Sequence, residues 1–163
     1  MTFDEMIDFI IDKIEGGYSN DKRDNGGETK WGISLKSHPE LAGRIQSLTR
    51  DEAKKIYRRE YFIPGYVSKY PSKVRLSVLD GSINHGILGN NRLVQKALKS
   101  LGCNILVDGV VGPKTLAALR SVDPLDFIVA HCKFRLALFR GHLDYQWAGA
   151  GWESRVLLIC ARS

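Results

Sequence analysis

The chain has 163 residues, 44% of them hydrophobic, which is enough to bury the core of one domain or of one lobe with a small second lobe. Its 24 Lys and Arg against 18 Asp and Glu give a net charge of +6, which favours a polyanionic partner such as nucleic acid, an anionic membrane surface or a negatively charged cell wall. No run of five or more basic residues and no apolar stretch of roughly 18 residues occurs, so we expect neither a nucleic-acid partner nor a membrane anchor.

The first predicted element is an amphipathic helix over residues 3 to 14. Its apolar residues recur at helical intervals, namely Phe3, Met6, Ile7, Ile10, Ile11 and Ile14. Glu15 follows at the C-terminal end, and Gly16 and Gly17 can adopt the positive φ that ends a helix and reverses the chain. Because the negative end of the helix dipole favours the protonated carboxyl, Glu15 has the properties of a general acid at the lip of a cleft.

The next stretch, EGGYSNDKRDNGGETKWGIS at residues 15 to 34, combines carboxylates, glycines and aromatic residues, which is typical of a site rather than of a core. The string EGGYSN followed by D-x-G-G-x-T-K-W-G-I-S resembles the signature of glycoside hydrolase family 108, a family of phage and bacterial N-acetylmuramidases with a C-terminal peptidoglycan-binding-like part. The resemblance is specific over residues 15 to 34 and extends more weakly to Arg155. It implies a lysozyme-like helical fold that acts on peptidoglycan.

The catalytic residues that the resemblance implies are Glu15, Asp24 and Thr29. Asp24 lies nine residues and Thr29 fourteen residues after Glu15, which is similar to the Glu, Asp and Thr arrangement of phage-type lysozymes, although the Asp-to-Thr gap differs from theirs by one. Asp24 would be the second carboxylate, with Glu28 in reserve, and Thr29 would position the attacking water. A structural alternative stays open for two of them, since Asp24 can form a turn and Thr29 can bond the hairpin backbone.

The same loop is predicted to hold a small β-hairpin between Tyr18 and Ile33, with its turn at the Gly26-Gly27 pair. Aromatic ring faces stack on the apolar faces of sugar rings. The candidate substrate-binding residues of this loop are Tyr18, Asn20, Lys30 and Trp31.

Two further helices follow in the first half of the chain. Thr49 and Glu52 form a predicted capping box for a helix from about Arg50 to Phe62, which Pro64 and Gly65 stop. A helix opened by Pro71 and Ser72 buries the apolar residues Leu76, Leu79 and Ile83. Asp80 and Asn84 lie four residues apart on one face of it and are further substrate-binding candidates, while a cap or an ion pair is the structural alternative for Asp80.

The second half is also predicted to be helical. One helix ends at Gly102, and a turn at Asp108-Gly109 precedes a helix with Gly112 as N-cap and Pro113 at its first position. This pattern, VQKALKSLG followed by DGVVGPKTLAAL, resembles the small helical peptidoglycan-binding fold. A helix of about five turns starts at Asp123 and passes Phe139. We therefore predict a mainly α fold with a lysozyme-like catalytic region at residues 1–88 and a peptidoglycan-binding-like region at 89–163, packed into one compact unit.

Three functions remain open from the sequence. The first is a muramidase that cleaves the β-1,4 bond between N-acetylmuramic acid and N-acetylglucosamine, as a phage endolysin made in the host cytoplasm and released through a holin-type pore. The second is a lytic transglycosylase, which needs no second carboxylate and leaves 1,6-anhydro products. The third is a non-catalytic wall-binding or secretion-activating protein that has kept the fold.

The remaining expectations concern cofactors, thiols and assembly. The four histidines show no H-E-x-x-H or Cys-His spacing, so we expect neither a metal nor a cofactor. The N-terminus has no cationic leader, and the three cysteines are widely spaced beside apolar residues, which favours reduced structural thiols and synthesis in the cytoplasm. We expect a monomer.

Overall fold

The computed structural model describes residues 1–20 and 27–163. The chain divides into two compact units, Thr2–Glu60 and Tyr61–Ser163, the second of which also includes Met1. The structure is mainly helical with a small antiparallel sheet after the first helix, so the predicted fold class is confirmed. Within the described ranges, no helix has both the length and the apolar character needed to cross a membrane.

The N-terminal unit combines two helices with the sheet. Its elements are α1 (Phe3–Ile10), a π-helical turn (Ile11–Glu15), β1 (Tyr18–Ser19), β2 (Thr29–Lys30), β3 (Ile33–Ser34), two 3-10 turns (Pro39–Leu41 and Ile45–Ser47), α2 (Arg50–Tyr57) and a π-helical segment (Arg58–Phe62) within which the chain passes into the second unit. Strand β2 is central and pairs antiparallel with both β1 and β3.

Helix α1 begins at a capping box and ends in a π turn. The Thr2 amide donates to the Glu5 carboxylate at 2.7 Å, and the Glu5 amide donates to the Thr2 hydroxyl at 3.2 Å. At the other end the Gly16 amide donates to the Ile11 carbonyl at 3.0 Å, and Gly16 adopts a φ of +66°. The predicted helix is confirmed, with the difference that its last turn is π-helical. Single π turns occur often at functional sites.

The two helices of this unit are held together by apolar burial more than by charge. The α1 residues Phe3, Met6, Ile7 and Ile10 are all buried, and full burial of each contributes about 1.5–3 kcal/mol. At the rim, Arg50 bonds the Asp8 carboxylate at 2.6 Å and Lys54 bonds it at 2.7 Å. Such partly exposed ion pairs add little to stability. They favour one register of α2 along α1.

The C-terminal unit is all helical. Its elements are two 3-10 turns (Val67–Lys69 and Ser72–Val74), α3 (Arg75–His85), α4 (Ile87–Ser100), α5 (Pro113–Ser121), α6 (Pro124–Arg140) and α7 (Tyr145–Arg162). The predicted N-caps of α5 and α6 are confirmed: Gly112 precedes Pro113, and the Asp123 carboxylate accepts from the Leu125 amide at 2.8 Å. The apolar core lies among α3, α4, α5, α6 and α7.

Helix α7 is not predicted from the sequence, because glycine and alanine alternate through WAGAGW and obscure any helical period. The structure gives one reason for a glycine there. A Cβ on Gly149 would lie 2.6 Å from the ring of Tyr145, one turn earlier, so the ring packs directly on the backbone. The helix therefore accepts a residue of low helix propensity in return for close packing.

A buried ion cluster connects three helices of this unit. Asp80 on α3 is 0% exposed, and Arg135 on α6 and Arg155 on α7 both bond its carboxylate, Arg155 at 2.8 Å. Burial alone would raise the pKa of Asp80, but the two guanidinium groups outweigh it and hold the pKa below its usual value. Asp80 is therefore ionised at neutral pH.

Two histidines near this cluster are held neutral. His131 is fully buried between the Ser77 hydroxyl, 2.8 Å from its Nδ1, and the Asn90 amide oxygen, 2.9 Å from its Nε2. His85 accepts a hydrogen bond at Nε2 from Arg135 at 3.3 Å. Burial and the positive charge of Arg135 lower the pKa of His85 to about 4 and the pKa of His131 well below its usual value.

We expect acid to destabilise the protein between about pH 6.5 and pH 4 for this reason. Histidines of the unfolded chain bind protons near pH 6.5, whereas folded His85 binds one only near pH 4. The unfolded state therefore holds more protons in this window, and the free energy of unfolding falls as the pH falls. The substitution His85→Gln should reduce the slope of the unfolding free energy against pH by about 1.4 kcal/mol per pH unit near pH 5.

Urea unfolding of wild type and His85→Gln at pH 7 and pH 5 measures this difference. Comparing slopes rather than absolute values separates proton binding from any packing change caused by the substitution. Parallel slopes for the two proteins would mean that His85 is already protonated in the fold.

Candidate active site

The position of Glu15 is defined by a glycine. Glu15 is the last residue of the π turn and is half-buried. A Cβ on Gly32 would lie 2.7 Å from the Glu15 carboxyl carbon and would also collide with the Tyr57 hydroxyl. Only a residue without a side chain therefore leaves room at position 32 for the Glu15 carboxyl. This contact connects the end of the first helix to the sheet.

Gly32 is part of the tight turn that joins β2 to β3. Lys30 pairs with Ile33, so Trp31 and Gly32 form a two-residue turn with φ of +53° and +78°. Turns of this kind match the twist of a hairpin, but positive φ costs a non-glycine residue about 1–2 kcal/mol. This turn and the role of Gly32 are not predicted from the sequence, although the W-G pair between strand-forming residues in KWGIS is a signal for them.

Hydrogen bonds hold Trp31 in this conformation. The Trp31 indole donates to the Leu48 carbonyl at 3.1 Å, and the Tyr57 hydroxyl donates to the Trp31 carbonyl at 2.9 Å. Tyr57 is only 1% exposed, so its hydroxyl lies in a fixed place. Tyr57 thus supports the turn that faces Glu15, a role that no local sequence pattern indicates because its partner lies 26 residues away.

The neighbouring polar candidates form a network on the sheet. Tyr18 is 43% exposed; its hydroxyl donates to the Glu28 carboxylate at 3.0 Å and accepts from the Gln46 amide at 3.2 Å. Lys30, the cross-strand partner of Tyr18, donates through Nζ to the Gln46 carbonyl. The structure therefore brings Tyr18, Lys30 and the reserve carboxylate Glu28 together, and Tyr18 orients Glu28.

The other candidate residues of the loop lie outside this hydrogen-bond network. The Thr29 hydroxyl donates to the Gly27 carbonyl at 3.3 Å, which is the backbone bond of its structural alternative. Asn20 is exposed directly after β1. Asp24 and Gly26 lie outside the described residues. Asp24 as the second carboxylate therefore stays a prediction, and so does the turn at Gly26-Gly27.

Asp80 and Asn84 lie on α3 of the C-terminal unit. Asp80 adopts the ion-pair alternative, and its carboxylate could meet a substrate only if Arg135 and Arg155 released it. Asn84 is half-buried, and its side-chain oxygen has no hydrogen-bond partner among residues 1–20 and 27–163. A substrate role for either residue stays a prediction.

Comparisons with known proteins bear on both halves of the chain. A family model described as Glycosyl hydrolase 108 matches residues 8–86, and one described as Predicted Peptidoglycan domain matches residues 90–138. A solved structure described as "Structure of Brucella abortus SagA" is 31% identical and matches 98% of this chain and 92% of its own, with a TM-score of 0.84. A comparison with curated proteins found no match.

The predicted division at residue 88 stays a prediction. The two family models meet between residues 86 and 90, whereas the compact units of the structure divide at Glu60 and Tyr61. A boundary in sequence similarity and a boundary in packing need not coincide, since the helix α3 belongs to the first matched segment and to the second compact unit.

We expect Gly32→Ala to destabilise the protein clearly more than Gly43→Ala. Gly43 has almost the same φ, +76°, but an added Cβ there would meet none of the described atoms within 4 Å. Both substitutions carry the cost of positive φ, about 1–2 kcal/mol. Only Gly32→Ala also displaces Glu15 and Tyr57, which adds about 1–3 kcal/mol of overpacking. Urea unfolding gives the difference; equal losses would show that Glu15 does not pack on Gly32.

Proposed function

The chain belongs to the glycosyl hydrolase 108 family, and we propose that it is a muramidase, which hydrolyses the β-1,4 bond between N-acetylmuramic acid and N-acetylglucosamine. Family membership makes it a glycoside hydrolase, and the matched peptidoglycan domain makes peptidoglycan its substrate or partner. The observation that supports the muramidase proposal is the placement of Glu15, which is half-buried at a helix end and in contact with Gly32.

In this proposal Glu15 is the general acid. Cleavage of a glycosidic bond needs a proton on the leaving oxygen as the bond breaks. The rigid Trp31-Gly32 turn confines the carboxyl, and a confined donor loses less orientation entropy when it transfers its proton.

The second group activates a water molecule. We propose Asp24 for this role, as its spacing from Glu15 implies, with Glu28 as the alternative because Tyr18 already orients its carboxylate. Thr29 donates its only hydroxyl proton to Gly27, so its oxygen keeps acceptor capacity with which to position the attacking water. Tyr18 and Trp31 would offer ring faces to the sugars, with Lys30 and Asn20 as polar contacts.

We further propose that the protein acts on the cell wall as an endolysin, made in the host cytoplasm and released through a holin-type pore. Its net charge of +6 supports attraction to an anionic wall. This attraction acts over about 10 Å at 0.1 M salt and weakens as the salt concentration rises.

The substitution Glu15→Gln should abolish clearing of purified peptidoglycan, with a rate loss of about 10²-fold or more because the proton donor is removed. Turbidity measures the rate, circular dichroism confirms that the variant is folded, and mass spectrometry of the fragments identifies the bond cleaved. Wild type should release reducing N-acetylmuramic ends. Clearing by Glu15→Gln at the wild-type rate would contradict the assignment of the acid.

Matched variants in the same loop test the second carboxylate. Asp24→Asn should lose activity nearly as far as Glu15→Gln, and Glu28→Gln should keep most of it; the reverse order would exchange their roles. Fragments with 1,6-anhydro ends would indicate a lytic transglycosylase instead. Binding of sacculi without clearing, in wild type and Glu15→Gln alike, would indicate a wall-binding protein.

A further inference from the structure

The C-terminal unit contains a groove that the proposed catalytic chemistry does not use. It lies between α4, the loop after it and the start of α5, and it has a volume of about 700 Å³. This size is within the usual range for sites that bind small molecules or peptides. All of its lining residues fall within the segment that matches the Predicted Peptidoglycan domain model.

One wall of the groove is a loop with a fixed conformation. The Asp108 carboxylate accepts from the Gln95 amide at 2.7 Å and from the Val110 backbone amide at 2.8 Å. The Gly109 amide donates to the Gln95 side-chain oxygen at 2.7 Å, and Asn91 donates to the Gly109 carbonyl at 2.9 Å. Gln95 is buried, so its hydrogen bonds fix the turn from the protein interior.

The other end of the groove presents hydrogen-bond donors and positive charge. Helix α5 starts at Pro113 after Gly112, which has no side chain to cap it, and its first intrahelical bond is Leu116 amide to Gly112 carbonyl. The amides of Lys114 and Thr115 precede that bond, at the positive end of the helix dipole. The Lys114 side chain is exposed beside them.

The side chain of Thr115 distinguishes this helix end from an ordinary one. Its side chain is only 4% exposed and lines the groove, yet its hydroxyl makes no hydrogen bond within the described part of the chain. The hydroxyl oxygen itself is accessible from the groove. Its proton is therefore available to an acceptor group of a ligand in the groove.

Apart from Asn104, the remaining side chains of the groove are apolar. Leu106 is 78% exposed and Val110 is 67% exposed, which is unusual for residues of a well-ordered loop. Exposed aliphatic side chains beside a site for an anion fit a ligand that combines small alkyl groups with a carboxylate. The exposed carboxylate of Asp108 adds a place for a cationic group.

We propose that this groove binds the stem peptide of peptidoglycan. A stem carboxylate accepts from the Thr115 hydroxyl and the first amides of α5, and Lys114 neutralises it. The alanine methyl groups lie on Leu106 and Val110, and the ammonium group of the diamino acid faces Asp108. The glycan backbone offers neither the charges nor the methyl groups of this pattern to the same degree. The inference rests on the proposed function, since that proposal makes peptidoglycan the substrate.

Binding of a soluble stem peptide tests the inference without any cleavage. The probes are the tetrapeptides L-alanyl-γ-D-glutamyl-X-D-alanine, with X either lysine or diaminopimelate, titrated into the full-length chain by calorimetry or NMR. Thr115→Val keeps the shape of the side chain and removes the hydroxyl, and we expect it to weaken binding about tenfold. Lys114→Gln should weaken it about threefold, less so at high salt.

Lys96→Gln is the matched control, because Lys96 is exposed on α4 of the same unit. The substitution removes the same charge at a position outside the groove. It should bind the peptides as wild type does. Peptides whose carboxylates are converted to amides should bind at least tenfold more weakly. Equal affinity of wild type, Thr115→Val and Lys114→Gln would overturn the inference, and so would the absence of any peptide binding.

The two proposals fail separately. A protein that clears peptidoglycan but does not bind the peptides refutes the groove and leaves the muramidase proposal intact. A protein that binds the peptides with the expected variant pattern but cleaves no glycan refutes the muramidase proposal and leaves the groove intact. Should Thr115→Val fail to fold, Lys114→Gln against Lys96→Gln still decides the question, since both positions are exposed.

Discussion

The arrangement of the N-terminal unit depends on the contact between Glu15 and the backbone at Gly32. For the carboxyl to lie there, position 32 must have no Cβ and the turn must have positive φ at both residues. Glycine adopts such a φ without cost, but Trp31 does not. The two hydrogen bonds to Trp31, each contributing about 0.5–1.5 kcal/mol, are sufficient to offset its strain. The turn is therefore determined by contacts from Leu48 and Tyr57, and the protein itself fixes where the Glu15 carboxyl lies.

In the C-terminal unit the main constraint is a different one, the burial of charge. A carboxylate taken out of water loses several kcal/mol of hydration, and Asp80 recovers it only because two guanidinium groups surround it. Any sliding of α6 or α7 along α3 would separate these charges. The nearby Gly81 shows how closely the helices approach, because a Cβ there would lie 3.1 Å from His131 and would collide with Asn90. The cluster fixes the register of the helices more than it adds to stability.

The features that could be predicted from the sequence are those that neighbouring residues determine. The capping box at Thr49 and the caps of α5 and α6 were predictable because each depends on residues three or fewer positions apart. The role of Tyr57 was not, since its partner is 26 residues away. Asp80 shows the same limit: helical spacing gives its face but not whether arginines from positions 135 and 155 cover that face.

Three interactions with different ranges follow from these features, and together they account for how one small chain could work on an insoluble polymer. The net charge acts over about 10 Å and has no geometric requirement, so it depends strongly on salt. The proposed peptide groove at α5 requires contact and a carboxylate in one place, so its binding would depend on the stem peptide. As the proposed general acid, Glu15 requires hydrogen-bond distance to a single glycosidic oxygen. Two weak sites on the same polymer strengthen each other because binding at one raises the effective concentration at the other. Under these proposals, a change in the groove should alter the amount of enzyme bound to the wall, whereas a change at Glu15 should alter only the rate of the chemical step.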